Sequence, residues 1–204
     1  NVKKIVDEQR IGRLKPNAPV LLEGGVNRLS MGMQSADERV LALLDRHHTP
    51  QRAVHMARLA REVGFDDISL DLIFGTPGES VDSWRASLES ALEADLDHLS
   101  AYSLIVEEGT RFAARVRRGE LPMTDEDDLA DKYLITEQVL TEALRRGHTV
   151  TVIARKPVDD LPTGAVFVQG DITADPAALG LPTPPAPVVI GQVLPSRTVA
   201  EDAW

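Results

Sequence analysis

The sequence predicts an α/β fold: a parallel sheet of βα units. Three observations carry this. Short apolar runs at 26–33, 68–74 and 98–106 are spaced by segments with helical periodicity. The runs suit strands buried between helices better than amphipathic edge strands. Helix-start and helix-stop residues fall in the gaps between them, and such an alternation of strand and helix argues for parallel crossover units.

The elements follow in order. Residues 1–20, "NVKKIVDEQRIGRLKPNAPV", read as a short helix and then a loop around Pro16-Asn17-Ala18-Pro19. The strand 26–33 leads into a helix over 37–45. Thr49-Pro50 supplies an N-cap residue and a first-turn proline. Ala53, Met56, Ala57, Ala60 and Val63 continue at helical spacing until Gly64. "ISLDLIF", 68–74, is a strand, and Gly75-Thr76-Pro77-Gly78 turns the chain. Ser80 caps a helix with the stripe Trp84, Leu88, Ala91 and Leu92. "HLSAYSLIV", 98–106, is a third strand, and 107–124 is a connection with one basic helical turn. Thr124-Asp125-Glu126-Asp127 opens a long helix with a capping-box pattern. Strands are expected at 148–154, 164–171 and 188–194, with a short helix from about 175. "LPTPPAP", 181–187, reads as a stiff linker. Strands 26–33, 68–74, 98–106 and 148–153 should run parallel in one sheet. The organisation expected is an N-terminal segment, 1–20, a partial (β/α) barrel, 21–124, a βα extension, 125–180, and a linker and tail, 181–204.

Composition narrows the function. The 204 residues are 43% hydrophobic and only 4% aromatic, so the core is aliphatic. A formal net charge of −10 argues against nucleic acid as the main partner. No apolar run approaches the roughly 20 residues that span a bilayer, and a cytoplasmic location is expected. The chain starts at Asn1 rather than Met, which leaves room for residues upstream. The absence of cysteine excludes disulfides, thiolate metal sites and cysteine nucleophiles within these residues.

Ligands of parallel α/β sheets bind at the carboxyl ends of the strands. Gln34 lies at such an end, either capping the next helix or facing a ligand. Asp71 sits inside an apolar strand, and a buried carboxylate costs several kcal/mol unless it is paired. Its partner is an arginine, Arg28 or Arg46, or backbone amides, or a ligand. His47, His48 and His55 place at most two rings on one helix face and make a poor metal set. Trp84 and Tyr102 read as core. Arg115, Arg117 and Arg118 read as a solvated face. "FGTPGE", 74–79, lacks the GK[ST] ending of a phosphate loop.

Four segments carry a resemblance: "EGGVNRLSMGMQSADERVLALLDRHHTPQRA", "AREVGFDDISLDLIFGTPGES", "LDHLSAYSLIVEEGTRFAARVRRGELP" and "DEDDLADKY". Residues 21–140 resemble the coproporphyrinogen III oxidase-like radical S-adenosylmethionine proteins, in particular the HemW-type heme chaperones. The resemblance implies a partial barrel with S-adenosylmethionine across the carboxyl ends of the strands, beside a 4Fe-4S cluster, and heme as the parent family's partner. It implies cofactor contacts at Gln34, Arg46 and Asp71, and by strand register at Ile105. An amide both donates and accepts, a guanidinium clamps a carboxylate, and a carboxylate accepts from ribose hydroxyls. The family's C-x3-C-x2-C cluster loop and glycine-rich segment have no counterpart here, and iron–sulfur clusters need thiolates. A remnant without turnover is therefore expected.

After Leu140 the chain resembles the early part of an NAD(P)-dependent short-chain dehydrogenase or epimerase. "RRGHTVTVIAR" and "VFVQGDIT" carry that likeness. It implies a Rossmann-like half, with Arg155 placed toward a ribose 2′-phosphate and Asp171 and Ile172 beside an adenine. The glycine-rich turn that receives pyrophosphate is absent, so the resemblance implies only half of an NADP site. The composite of two partial sites leaves two alternatives open: a recombined or designed α/β scaffold with no small-molecule function, or an NADP-type nucleotide-binding module.

Overall fold

The computed structural model describes residues 14–145, 150–154, 161–169 and 188–193. The element order is α1 (Leu14–Glu23), β1 (Arg28–Gln34), α2 (Glu38–Leu43), α3 (Pro50–Glu62), β2 (Asp67–Phe74), α4 (Val81–Leu92), β3 (His98–Ser103), α5 (Arg111–Arg117), α6 (Glu126–Arg145), β4 (Val150–Ala154), β5 (Val166–Gln169) and β6 (Val188–Val193). The strands form one six-stranded sheet in the order β1-β2-β3-β6-β4-β5, and every pairing is parallel. The four strands expected to share a sheet do so. The place of β6, between β3 and β4, could not be read from the sequence.

Register divides the sheet into two unlike faces. Ser30 lies opposite Ser69 and Ser69 opposite His98; Gly32 lies opposite Asp71 and Asp71 opposite Ser100. Side chains alternate along a strand. One face of β1–β3 therefore carries Arg28, Ser30, Asp67, Ser69, Asp71, His98, Ser100 and Tyr102. The other carries Leu29, Met31, Met33, Ile68, Leu70, Leu72, Phe74, Leu99 and Ala101, all buried. Helices α3 and α4 pack on this apolar face, with Ala53, Met56, Ala57 and Ala60 from α3 and Trp84, Leu88 and Ala91 from α4. Strand β1 is thus amphipathic and ends the described sheet, which corrects the expectation of a strand set between helices rather than an amphipathic edge strand, although most of its residues are buried. Its polar residues do not exclude burial: Ser30 is only 4% exposed.

The core continues through α6, whose Ile135, Val139, Leu140 and Ala143 join the same cluster as Val150 and Val152 of β4. Trp84 is fully buried, with its ring centroid 5.1 Å from that of Phe74. Its indole N–H donates to the Lys132 carbonyl at 3.1 Å and to Thr136 Oγ1 at 3.0 Å, which fixes α4 against α6.

Local chemistry explains the boundaries. Ser80 Oγ accepts from Ser83 N and caps α4. Thr49 precedes Pro50 in extended geometry but makes no side-chain cap. Gly64, at φ +102, ends the turn after α3. Three expectations are corrected. Residues 14–23 are helical through Pro16 and Pro19. Pro16 falls in the first turn, where no N–H is needed, and Leu21 and Leu22 pack on the core. The cap of α6 is Asp125, whose Oδ1 accepts from Asp128 N, while Thr124 donates its hydroxyl to the Gly75 carbonyl. The third strand ends at Ser103 rather than 106; Leu104 N still donates to the Phe74 carbonyl, after which the chain leaves the sheet. The expected helix from about 175 and linker 181–187 lie outside the described residues.

Gly75 combines φ +76 with a tight approach: a Cβ there would lie 2.4 Å from Leu129 Cδ2. Gly75→Ala is expected to destabilise the fold by about 1–3 kcal/mol, since a left-handed non-glycine residue alone costs about 1–2 and the Leu129 side chain must also shift. Urea unfolding of both proteins measures this; a change below about 0.5 kcal/mol, the size of a neutral surface substitution, would contradict it.

Candidate functional site

The polar face opens toward the carboxyl ends of the strands. Ser30, Ser69, His98 and Ser100 are buried, whereas Gly32, Asp71, Ile73 and Tyr102 are partly exposed. Asp71 stands at the border between the two sets. Ser30 Oγ donates to its carboxylate, at 3.2 Å from Oδ2 and 3.4 Å from Oδ1. Neither arginine proposed as its ion-pair partner fills that role: Arg28 pairs with Asp67 at 3.5 Å, and Asp71 is held by a neutral hydroxyl.

Gln34 closes β1 in an unusual conformation. Its φ is +65, rare for a residue with a side chain. Ser35 N donates to the Met33 carbonyl at 2.8 Å, so Gln34 is the centre of a three-residue turn of the strained, positive-φ kind. Such strain costs about 1–3 kcal/mol and persists only where the surroundings enforce it. His48 Nε2 donates to the same Met33 carbonyl at 3.1 Å. Ser35, fully buried, accepts from Asp37 N and lies 3.2 Å from Ser87 Oγ, and Ser87 Oγ accepts from Ala36 N. The strand-to-helix handover is thus bolted to α4. Gln34 does not cap α2; Asp37 does, accepting from Arg39 N. The hydrogen bond from the Arg39 side chain, supported by those from Arg39 N and the Ser83 hydroxyl, holds the Asp37 carboxyl down at about 2.

Arg46 lies exposed in the loop between α2 and α3, two residues before His48, on the carboxyl side of the sheet. Ile105 lies two residues past the end of β3, on the same side, and is 54% exposed. The structure therefore gathers Gln34, Arg46, Asp71 and Ile105 at one edge of the sheet. Arg155, Asp171 and Ile172 lie outside the described residues. His47, His48 and His55 are not brought together, and no group of three or more potential metal ligands occurs among the described residues.

Sequence reasoning took 74–79 as a turn and missed the carboxylate beneath it. Glu79 is 4% exposed, and its Oε2 accepts from Gly75 N at 2.7 Å and Thr76 N at 3.4 Å. Fully buried Lys132, paired with Asp128, stands near it. Burial pushes the Glu79 carboxyl up to about 7, against the pull of those backbone N–H groups and the Lys132 ammonium. Glu79 Oε1 and Thr76 Oγ1 are buried without a hydrogen-bond partner. The one signal in the sequence was a glutamate four residues after a turn glycine, too common to single out.

The radical SAM superfamily model matches residues 10–91. Among curated proteins, the heme chaperone HemW of Mycobacterium tuberculosis is 51% identical over 119 residues, covering 58% of this chain and 30% of the relative. The zebrafish (Danio rerio) mitochondrial radical S-adenosyl methionine domain-containing protein 1 is 31% identical over 181 residues, covering 88% of this chain and 41% of the relative. Among solved structures, coproporphyrinogen III oxidase (HemN) of Escherichia coli, described as a radical SAM enzyme, superposes with a TM-score of 0.56 at 28% identity, covering 69% of this chain and 31% of that one. Family model, relatives and fold together support a HemW-type, HemN-like radical SAM relationship. The chain spans about 30% of the length of the HemW proteins it matches.

A folded-state pKa above the free value means that Glu79 favours folding when protonated. Its contribution is fully present below about 4.5 and is lost as pH rises through about 7. Over that window stability should fall by up to about 3 kcal/mol from this residue. Glu79→Gln keeps an acceptor for Gly75 N and should flatten the decline, leaving the variant more stable than the parent at pH 8. Urea titrations at pH 5 and pH 8 test the sign; an unchanged slope in the variant would refute the assignment.

Proposed function

We propose that this chain is part of a HemW-like radical S-adenosylmethionine protein and contributes one side of the cofactor site. Asp71 would accept from the ribose hydroxyls, Arg46 would pair with the methionine carboxylate, Gln34 would donate and accept at the strand end, and Ile105 would cover the apolar side of the adenine. The observation that carries the reading is Asp71: a half-buried carboxylate on the exposed end of the polar face, whose partner among the described residues is a neutral hydroxyl, with acceptor positions left for further donors. The strained backbone at Gln34 supports it, since such strain gathers at ligand sites. The half-exposed row that includes Gly32 and Tyr102 leaves the approach to Asp71 partly open.

In the family, S-adenosylmethionine with a 4Fe-4S cluster supplies a radical by reductive cleavage. The donor set here fits the nucleoside but not the cluster, because none of these 204 residues is a thiolate. What the residues themselves do is bind and orient. Heme, named for the HemW relatives, enters as the partner of the whole protein of which this segment would form a part. In this reading the chain by itself binds without turnover.

A second reading concerns the end of the sheet. β4 and β5 are consecutive parallel strands paired to one another, and β6 stands beside β4 where a dehydrogenase-like half would have its first strand. That arrangement is compatible with a nucleotide-binding half using Arg155.

Calorimetric titration should detect S-adenosylmethionine, with Asp71→Asn weakening it about tenfold, as expected for loss of a charge-assisted hydrogen bond. Equal affinity in the two proteins would defeat the cofactor reading. Anaerobic reconstitution of the purified chain with iron and sulfide should give no cluster absorption band; a stoichiometric cluster would overturn the account of the missing redox centre. Binding of NADP abolished by Arg155→Ala, with no S-adenosylmethionine binding, would favour the second reading instead.

A further inference from the structure

We infer that Ser30 is a positioning residue, one that sets Asp71 for its ligand; the inference rests on the cofactor reading above. Three features point to it. The hydroxyl meets both carboxylate oxygens, at 3.2 and 3.4 Å, so one hydrogen is shared across the carboxylate and restrains its rotation. The contact is diagonal across the strands. Asp71 lies opposite Gly32, which has no side chain, and the carboxylate leans back to Ser30, the neighbour on that face. Finally, burial is graded. Ser30 is 4% exposed while Asp71 is partly exposed, so the hydroxyl holds the carboxylate from the sheet interior and leaves its outer acceptor positions to the open side. An ionised carboxylate has about four acceptor positions, and a single serine hydrogen occupies few of them.

Sequence spacing alone could not single out Ser30. It lies 41 residues from Asp71, and only the register of β1 on β2 brings the two together. A serine that merely satisfied a buried strand would influence stability and leave the affinity of the folded protein unchanged. A positioning serine acts on affinity, and only while Asp71 is present to be positioned.

The test is a double-mutant cycle on the full chain, with S-adenosylmethionine as the titrant and the folded fraction checked by circular dichroism at the same temperature. Ser30→Ala should weaken binding about five- to tenfold, within the range of one ordinary net hydrogen bond, since the serine acts on the ligand through Asp71. In the Asp71→Asn background the same change should alter affinity less than about twofold, because coupled residues are non-additive. Ser30→Thr, which keeps the hydroxyl, should recover most of the loss. Ser30→Cys keeps the volume with a weak donor and replaces the alanine variant should that one unfold. Without ligand, the Asp71 side-chain carboxyl ¹³C resonance should move in Ser30→Ala. If Asp71→Asn weakens binding while Ser30→Ala does not, the positioning role falls and the cofactor reading stands. If neither does, or if the unaltered chain binds nothing, both fall.

Discussion

The parallel register of β1, β2 and β3 is the constraint from which the other features follow. With side chains alternating and the strands locked as Ser30–Ser69–His98 and Gly32–Asp71–Ser100, every large aliphatic group of these strands up to Leu72 turns to one face and most polar groups to the other. A slip of one residue would reverse this, driving Met31 and Leu70 onto the polar side and Asp71 into the helices. The alternation therefore fixes the register, and the register in turn decides where helices pack. Because all six strands run the same way, their carboxyl ends share one edge, and the loops that follow them are the only ones able to meet over it.

Polar burial near that edge is organised rather than accidental. The carbonyl of Met33 takes two donors, Ser35 N and His48 Nε2, and so holds Gln34 in a conformation that an isolated chain avoids. The serines at 35, 83 and 87 bind the following turn to α4. Beneath the next turn, Glu79 satisfies two backbone N–H groups, at the expense of placing a carboxylate where burial favours its neutral form. The fold thus accepts local destabilisation at both turns. Trp84, fully buried and hydrogen-bonded to α6, ties the helix behind both turns into the core.

The relationship to HemW and HemN gives these features a common sense. The proposed cofactor site would need polar strand ends and an apolar outer face, and the sheet is divided in that way. The segment matched is about a third of the relatives' length. On the proposed reading it would carry one wall of a site, acceptors and an amide, and none of its 204 residues is a cysteine.

Much of this was legible in the sequence. The βα alternation, the cap at Ser80, the helix from Pro50 and the parallel strands follow from local periodicity and capping chemistry, which act over a few residues. Gln34 and Asp71 stood out for the same reason, as polar groups where the pattern asked for apolar ones. Three things belonged to tertiary structure. Pro16 and Pro19 sit within a helix because Leu21 and Leu22 dock on a core that local propensity cannot see. β6 enters between β3 and β4 because strand order depends on contacts some 90 residues apart, about which local periodicity is silent. The partner of Asp71 is Ser30 rather than an arginine, since charge complementarity can be read from composition whereas a diagonal cross-strand contact exists only once two strands are in register.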